Sequence, residues 1–126
     1  MRSLSLFLFF LVLVSSSIVS PAYAGDVGPT VVKASWYGSQ ELEGAPMADG
    51  EPFNADDRTI AAHRKYRFGT RLRVTNLENG ESIDVTVQDR GPYVKGRGID
   101  LSRAAAEWLG FKKKGVVLVM IEVLGT

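Results

Sequence analysis

Cysteine is absent from the 126-residue chain, and histidine occurs once. Without cysteine there are no disulfide bonds, so packing alone must hold the fold together, and we expect no lipid-anchored cysteine. One histidine and no cysteine supply few of the ligands that a protein zinc site requires. We therefore expect no metal, and we expect no other cofactor.

A strong excess of either charge is also absent. The chain has 15 Lys and Arg against 14 Asp and Glu. Nucleic-acid binding depends on a basic surface, so this balance argues against nucleic acid as the partner.

The longest apolar run lies at residues 4–14, where Ser5 is the one polar residue. It follows a basic start and precedes an Ala-x-Ala pattern ending at Ala24, which is typical of a cleaved signal peptide. The run is short for a membrane span, which needs about 20 apolar residues. We expect a signal peptide at 1–24, a flexible leader at 25–29 and one domain at 30–126. The product would be a monomer in the periplasm or secreted, without a membrane anchor after cleavage.

Alternation of apolar and polar residues predicts several strands. In the stretch 82–88, valines and isoleucine alternate with polar residues, which is the period of a half-buried strand. Gly91 and Pro92 then stop the strand, so Asp89 lies at a strand end with Arg90 beside it. Further strands or short apolar segments are predicted at 30–38, 59–63, 70–77 and 116–124, the last of them buried throughout.

Two connections have clear signals. Asn79 and Gly80 predict a tight hairpin at 78–81. Residues 39–57 contain several glycines, prolines and acids and read as a long ordered loop, which in a small domain is often functional.

One helix is predicted at 102–109. Asp100 or Ser102 can cap its start and Gly110 can end it. Its predicted buried face comprises Leu101, Ala105, Trp108 and Leu109. Several short strands with one late helix indicate a small closed β-barrel, because closure removes exposed strand edges.

The motifs resemble those of the RlpA-like family of bacterial proteins. The matching pieces run in the family's order over nearly the whole predicted domain: 34–38 (ASWYG), 48–53 (ADGEPF), 59–63 (TIAAH), 73–77 (RVTNL), 88–93 (QDRGPY) and 99–102 (IDLS). The resemblance implies a mainly β fold, a six-stranded double-psi β-barrel with one inserted short α-helix.

The resemblance also implies an activity. Members act as lytic transglycosylases on peptidoglycan glycan strands, preferring strands without peptide stems, and they leave 1,6-anhydro-MurNAc ends. Glu51, His63 and Asp89 match the family's functional motif. Members often carry a lipid-anchored cysteine and a C-terminal wall-binding domain; because this sequence contains no cysteine and ends directly after the predicted barrel, we expect neither.

Lytic transglycosylation uses the sugar's own C6 hydroxyl as nucleophile, so one carboxyl group can act as acid and then as base. We predict Asp89 for that role, with Glu51 and His63 supporting it or orienting the glycan. Predicted glycan contacts are Trp36 or Tyr37, Arg90, Tyr93 and Asp100.

Structural alternatives exist for these residues. Asp89 could merely form a turn, Asp100 could cap the helix, and His63 could be a core histidine. Two other functions also remain open: a non-catalytic, expansin-like wall binder, and a hydrolase that uses two carboxylates.

Overall fold

The computed structural model describes residues 28–126. The predicted signal peptide and most of the predicted leader lie outside them. The elements, in chain order, are β1 Thr30–Tyr37, a short 3-10 helix Gln40–Leu42, β2 Ile60–Ala62, β3 Arg71–Asn76, β4 Ser82–Asp89, β5 Arg97–Ser102, α1 Arg103–Leu109 and β6 Val116–Gly125.

The six strands close into a barrel in the order β1-β5-β2-β4-β3-β6. Strands β1 and β5 run parallel, as do β2 and β4, and the other four pairings are antiparallel. The predicted mainly β fold, a closed six-stranded barrel with one helix, is confirmed. Within residues 28–126 every strand pairs with two others, so the sheet closes on itself and has no outermost strand.

The barrel interior is filled by alternate residues of its strands. In β4, Ile83, Val85 and Val87 are buried while the residues between them are more exposed. The prediction that 116–124 is buried throughout is wrong, because β6 alternates and Leu118 is 48% exposed. A barrel strand has one face in the core and one outside, whatever its composition.

Strand β5 was not identified as a strand from the sequence. It contains Gly98 and the charged residues Arg97 and Asp100, which are poor strand signals. Its pairing with β1 shifts at Gly98, between the Lys33–Arg97 and Ala34–Ile99 pairs. A Cβ at Gly98 would lie 2.6 Å from the Cβ of Val32, so glycine permits the close approach of the two strands.

The helix begins and ends close to the predicted residues. Ser102 is its N-cap and accepts a 3.2 Å hydrogen bond from the Ala105 backbone N–H, so Asp100 is not the cap. Gly110 ends the helix in the left-handed region at φ 78°.

The prediction that Trp108 is a core residue is wrong. Its side chain is 51% exposed, its Nε1 donates to the Ser82 carbonyl at 3.0 Å, and the Arg58 guanidinium lies 4.5 Å from its ring centroid. The buried face of this short helix consists of Ala105, Ala106 and Leu109. Small residues let the helix lie close to the barrel, and the indole is left at the rim.

The long loop between β1 and β2 packs a second apolar cluster. Met47, Phe53 and Ala55 are buried with Ile60, and Tyr37 packs against them. The loop therefore lies over the part of the barrel wall where β1 ends and β2 begins. Within residues 28–126, no helix is long and apolar enough to cross a membrane.

Candidate active site

Two carboxylates flank one alanine on the barrel wall. Ala62 on β2 is the register partner of Asp89 on β4 and of Asp100 on β5. Two strand spacings separate the carboxylates, so their Cα atoms are about 10 Å apart. The negative charge of Asp89 contributes to raising the pKa of Asp100, so the two side chains interact electrostatically.

A β-bulge accounts for the direction of Asp89. In an unbroken strand Asp89 would share the inward face of Val85 and Val87. The pairing instead passes from Ala61–Val87 directly to Ala62–Asp89, leaving out Gln88. A bulge of this kind redirects the side chains beyond it. Asp89 consequently lies half-buried at the wall and not in the apolar interior.

Both oxygens of Asp89 accept hydrogen bonds. Oδ1 accepts from the backbone N–H groups of Ala48 and Arg90, each at 2.9 Å, and Oδ2 accepts from the Tyr37 hydroxyl at 3.1 Å. These donors come from β1, from the long loop and from the end of β4. Asp89 thus connects three separate segments of the chain.

Asp100 is held more loosely. Its Oδ1 accepts from the Ser35 hydroxyl at 3.0 Å, and Oδ2 is in none of the side-chain hydrogen bonds found within residues 28–126. Burial raises the pKa of Asp100 to about 6; the Ser35 hydrogen bond and the Arg97 charge oppose that rise, and the Asp89 charge adds to it. At pH 7, one unit above this pKa, about a tenth of Asp100 is therefore still protonated.

Tyr37 joins the loop to the carboxylates. Its ring stacks on Phe53 with centroids 4.6 Å apart, and its hydroxyl donates to Asp89. Burial raises the pKa of Tyr37 far above its usual value, and the charges of Asp89, Asp100 and Asp49 raise it further. The hydroxyl is therefore a neutral hydrogen-bond donor at every physiological pH.

His63 is fixed by backbone groups. Its backbone N–H donates to the Asp89 carbonyl at 3.1 Å. Its Nδ1 accepts from the backbone N–H groups of Lys65 at 3.0 Å and Tyr66 at 3.1 Å, and its ring stacks on Tyr66. Burial lowers the pKa of His63 to about 4, assisted by the charges of Arg64, Arg90 and Lys65. The ring is therefore neutral near pH 7 and, with Nδ1 accepting, carries its proton on Nε2.

Arg90 braces the connector that follows β2. Its Nη1 donates to the carbonyls of His63 at 3.1 Å and Tyr66 at 2.9 Å, and its guanidinium lies 3.9 Å from the Phe68 ring centroid. Its guanidinium does not pair with Asp89 in the described part of the chain. The predicted glycan contact is thus also a structural brace.

Glu51 lies at an exposed turn of the loop. Its backbone N–H donates to Asp49 Oδ1 at 2.9 Å, and the Asp49 N–H donates to the Gln88 carbonyl at 3.1 Å, beside Asp89. The backbone of the turn is thus anchored to β4, while the Glu51 side chain faces solvent. Tyr93 follows the strand end and is 77% exposed.

Trp36 lies apart from this group. It packs against the main core cluster, and its Nε1 donates to the Lys112 carbonyl at 3.0 Å. Of the two adjacent aromatic residues, Tyr37 is therefore the one that reaches the carboxylates.

Two residues near the carboxylates, Ser35 and Asp49, were not predicted as site residues from the sequence. Ser35 reaches Asp100 because the two are register partners across β1 and β5. This contact could have been predicted only if residues 97–102 had been recognised as a strand that pairs with β1. Asp49 precedes Gly50 in the 48–53 motif, and its charge contributes to the raised pKa of Tyr37.

Comparison with known proteins identifies the family. Residues 30–121 match the family model described as "Lytic transglycolase". The chain is 54% identical over 93 residues to a "Probable endolytic peptidoglycan transglycosylase RlpA" of a Nostoc species, covering 73% of this chain and 25% of that protein. It is 45% identical over 89 residues to the "Endolytic peptidoglycan transglycosylase RlpA" of Pseudomonas aeruginosa, covering 71% of this chain and 26% of that protein. The match thus spans about a quarter of the length of these relatives.

Solved structures share the fold. An expansin variant of Clavibacter michiganensis in complex with cellohexaose superposes with a TM-score of 0.62 at 21% identity, covering 77% of this chain and 50% of that one. A Streptomyces papain inhibitor superposes with a TM-score of 0.59 at 24% identity, covering 75% and 94%. At these identities the likeness concerns the fold alone. The family match and the sequence relatives, by contrast, cover most of residues 30–121, so the chain belongs to the lytic transglycolase family of double-psi β-barrel domains, as the RlpA-like motifs had indicated.

Proposed function

We propose that this chain cleaves the MurNAc–GlcNAc bonds of peptidoglycan glycan strands by endolytic transglycosylation. The family and the names of the relatives support this activity. The observation that carries it is the pair of carboxylates, Asp89 and Asp100, on the strands either side of Ala62. Glycosidic bond cleavage requires a proton donor with a raised pKa beside a group that stabilises developing positive charge.

The reaction needs one carboxyl group acting twice. As acid, it donates its proton to the bridging oxygen while the bond from that oxygen to C1 of MurNAc breaks. As base, it then takes the proton of the C6 hydroxyl of the same sugar while that oxygen bonds to C1. The products are a GlcNAc hydroxyl and a 1,6-anhydro-MurNAc end, and no water is consumed.

We assign the proton transfers to Asp100. Its pKa of about 6 leaves it protonated in part near neutral pH and a competent base after donation. Its Oδ2 has no hydrogen-bond partner among the described side-chain contacts, so that oxygen is available to a substrate. The sequence motifs alone predict this role for Asp89.

Asp89 is better suited to an electrostatic role. Oδ1 accepts from the Ala48 and Arg90 backbone N–H groups and Oδ2 accepts from the Tyr37 hydroxyl, so three hydrogen bonds hold this carboxylate in one orientation. Its negative charge raises the pKa of Asp100 and can stabilise positive charge developing at C1.

The remaining predicted residues have supporting roles in this proposal. Neutral His63 offers its Nε2–H to a sugar oxygen. Glu51, at its exposed turn, and Tyr93, 77% exposed, are accessible to a glycan and contact it. Arg90 holds the connector that carries His63. Because the substrate lies in the wall, we propose an exported monomer, in the periplasm or secreted.

Mass spectrometry of glycan products tests the proposal. The native protein is incubated with sacculi stripped of peptide stems, and we expect 1,6-anhydro ends, which Asp100→Asn abolishes and Asp89→Asn reduces. Asn keeps the size of Asp and removes the titrating group. Reducing ends bearing added water would instead identify a two-carboxylate hydrolase. Binding without any product would identify an expansin-like wall binder.

A further inference from the structure

Asp100 has two cross-strand neighbours, and one of them hydrogen-bonds to it. Strand β5 lies between β1 and β2, and the residues that pair with Asp100 are Ser35 and Ala62. Ala62 has no polar side-chain atom, whereas the Ser35 hydroxyl donates to Asp100 Oδ1 at 3.0 Å. This is the only side-chain hydrogen bond that either Ser35 or Asp100 makes within residues 28–126. Ser35 therefore sets the orientation of the carboxyl group.

Ser35 itself is out of reach of a ligand. Ala34 is part of the core cluster, so strand alternation turns Ser35 to the outer face of the barrel wall. Asp100 follows the core residue Ile99 and lies on the same face. On that face Ser35 is only 4% exposed, while Asp100 is half-buried. The hydroxyl can therefore act on a substrate only through the carboxyl group.

Two other buried polar side chains of the barrel serve the backbone. Ser102 caps α1, and Asn76 Nδ2 donates to the Leu109 carbonyl at 2.8 Å. The Ser35 side chain makes no hydrogen bond to a backbone group in the described part of the chain. The group that depends on the Ser35 hydroxyl is therefore the carboxyl group of Asp100.

The hydrogen bond also favours one position for the proton of Asp100. Ser35 has one hydroxyl proton, and Asp100 Oδ1 is the one acceptor found for it within residues 28–126. An unpaired donor at a buried position costs free energy, so Ser35 continues to donate when Asp100 is protonated. The carbonyl oxygen of a carboxylic acid is a better acceptor than its O–H oxygen, so the proton lies on Oδ2.

We propose that Ser35 is the positioning residue of the proposed acid: its hydroxyl holds Asp100 Oδ1 and keeps the transferable proton on Oδ2, the oxygen left free to face the glycosidic oxygen. This inference rests on the proposed function, because it takes Asp100 as the group that transfers protons. As the glycosidic bond breaks, the Oδ2 proton passes to the bridging oxygen, and the Ser35 hydroxyl stabilises the carboxylate that remains. The proton of the C6 hydroxyl then passes to Oδ2.

The charged and titratable groups around Asp100 stay in place when the serine hydroxyl is removed. Arg97 on the same strand lowers the pKa of Asp100, and Asp89 on β4 raises it. Tyr37 on β1 has its own pKa raised in part by Asp100 and stays neutral, and Ala62 on β2 does not titrate. None of these residues makes a side-chain hydrogen bond or an ion pair with Asp100 within residues 28–126. A change in the pKa of Asp100 would therefore report the loss of the serine contact.

Titration of the Asp100 carboxyl group tests the contact without turnover. Protein isotope-labelled at the aspartate γ-carboxyl carbon is followed by NMR between about pH 4 and pH 9, and the Asp100 signal is the one lost in Asp100→Asn. We expect Ser35→Ala to raise the pKa of Asp100 by about one unit, because the charged form loses its hydrogen bond. Ser35→Cys fills the space of the serine and has only a weak donor, so it should raise this pKa too.

The pH profile of cleavage separates positioning from a merely structural role. In Ser35→Ala, we expect the pH at which release of anhydro ends begins to fall to move up by about one unit. At lower pH, kcat should fall several-fold with KM unchanged, because the carboxyl group is no longer held and the serine does not touch the glycan. Ser82→Ala is the matched control, since it removes an exposed serine hydroxyl from β4, and only the backbone carbonyl of Ser82 is in the hydrogen bonds found with side chains of residues 28–126.

An unchanged pKa of Asp100 in both Ser35 variants would overturn the inference. A shift in Ser35→Ala that is absent from Ser35→Cys would overturn it too, because a cavity would then be its cause. A rate lowered equally at every pH would leave Ser35 a structural role only.

The native protein separates this inference from the proposed function. Anhydro ends formed by the native protein, together with an unchanged pKa in the variants, would refute the role of Ser35 alone. A pKa that shifts as expected, without any anhydro ends from the native protein, would refute the transglycosylase and leave the hold of Ser35 on Asp100 standing.

Discussion

Asp89 and Asp100 are joined through Ala62, the residue that pairs in register with both of them. Their environments differ: Asp89 accepts three hydrogen bonds, whereas Asp100 accepts one, from Ser35. Burial and the neighbouring charge raise the pKa of Asp100. Two carboxyl groups with unequal environments can divide the acid and electrostatic roles of one reaction.

The rate of cleavage should depend on the protonation of Asp100. We expect kcat/KM for release of anhydro ends to fall as pH rises above about 6, approaching tenfold per pH unit, because only the protonated group can start the reaction. Initial rates on stem-free glycan measured between about pH 5 and pH 8 check this. Asp100→Asn should be inactive throughout, and a native rate that is constant across that range would exclude Asp100 as the acid.

The free energy of unfolding should also depend on the protonation of Asp100. Its pKa in the folded protein is raised from the ordinary 3.8 to about 6, so the folded state binds the proton more tightly than the unfolded state. This contribution is fully present below about pH 3.8 and is lost as pH rises through about 6. Between those two pH values, we expect the free energy of unfolding of Asp100→Asn to rise by roughly 2 kcal/mol relative to that of the native protein. Urea unfolding at several pH values measures the difference, and parallel curves for the two proteins would refute the prediction.

The protonation of His63 should change the free energy of unfolding in the opposite sense, lowering it as pH falls. Its pKa is lowered from 6.5 to about 4, so the unfolded state binds the proton more tightly. The stability it contributes is present above about pH 6.5 and is lost as pH falls through about 4. We expect His63→Asn to remove this acid-side loss, because the Asn side-chain oxygen can replace Nδ1 as acceptor for the Lys65 and Tyr66 N–H groups.

A second variant at His63 separates titration from hydrogen bonding. His63→Leu removes the acceptor altogether as well as the titrating group, and we expect it to be about 1 kcal/mol less stable than His63→Asn at every pH. The same urea series reads out both variants. If His63→Asn keeps the native pH dependence, the histidine is not the group that titrates there.

The stability of the barrel should depend on the absence of a side chain at Gly98, where β5 packs closely against Val32 of β1. A Cβ at this position would lie 2.6 Å from Val32, and both residues are in strands whose backbones are fixed by pairing. We expect Gly98→Ala to destabilise the fold by about 1–3 kcal/mol through overpacking. Adding Val32→Ala should recover part of that loss, as measured by thermal and urea unfolding. Gly28→Ala is the control, since a Cβ there meets no atom within 4 Å; an unchanged stability in Gly98→Ala would show that the strands can separate freely.

Local signals in the sequence were sufficient for much of the fold. Asn79 and Gly80 turn the chain between β3 and β4, with Gly80 at φ 77°. Ser102 and Gly110 delimit the helix. Each signal acts through the backbone of its own few residues, so it can be read without knowing what lies elsewhere.

Other features depended on neighbours distant in sequence. Trp108 has the spacing of a core residue, yet the helix meets the barrel through alanines and leaves the indole at the rim. Strand β5 has weak propensity and exists because β1 and β2 pair with both of its edges. Pattern alone could not predict either outcome, because both depend on which surfaces meet.

The sequence by itself determined that this chain carries several short strands, one capped helix and the motifs of its family, because alternation, turn residues and caps are local properties. Only the tertiary structure decided what its acids can do. The bulge at Gln88 turned Asp89 away from the inward-facing residues of β4, and burial raised the pKa of Asp100. Side-chain direction and solvation depend on pairing across strands that are far apart in the chain, and no window of sequence contains them.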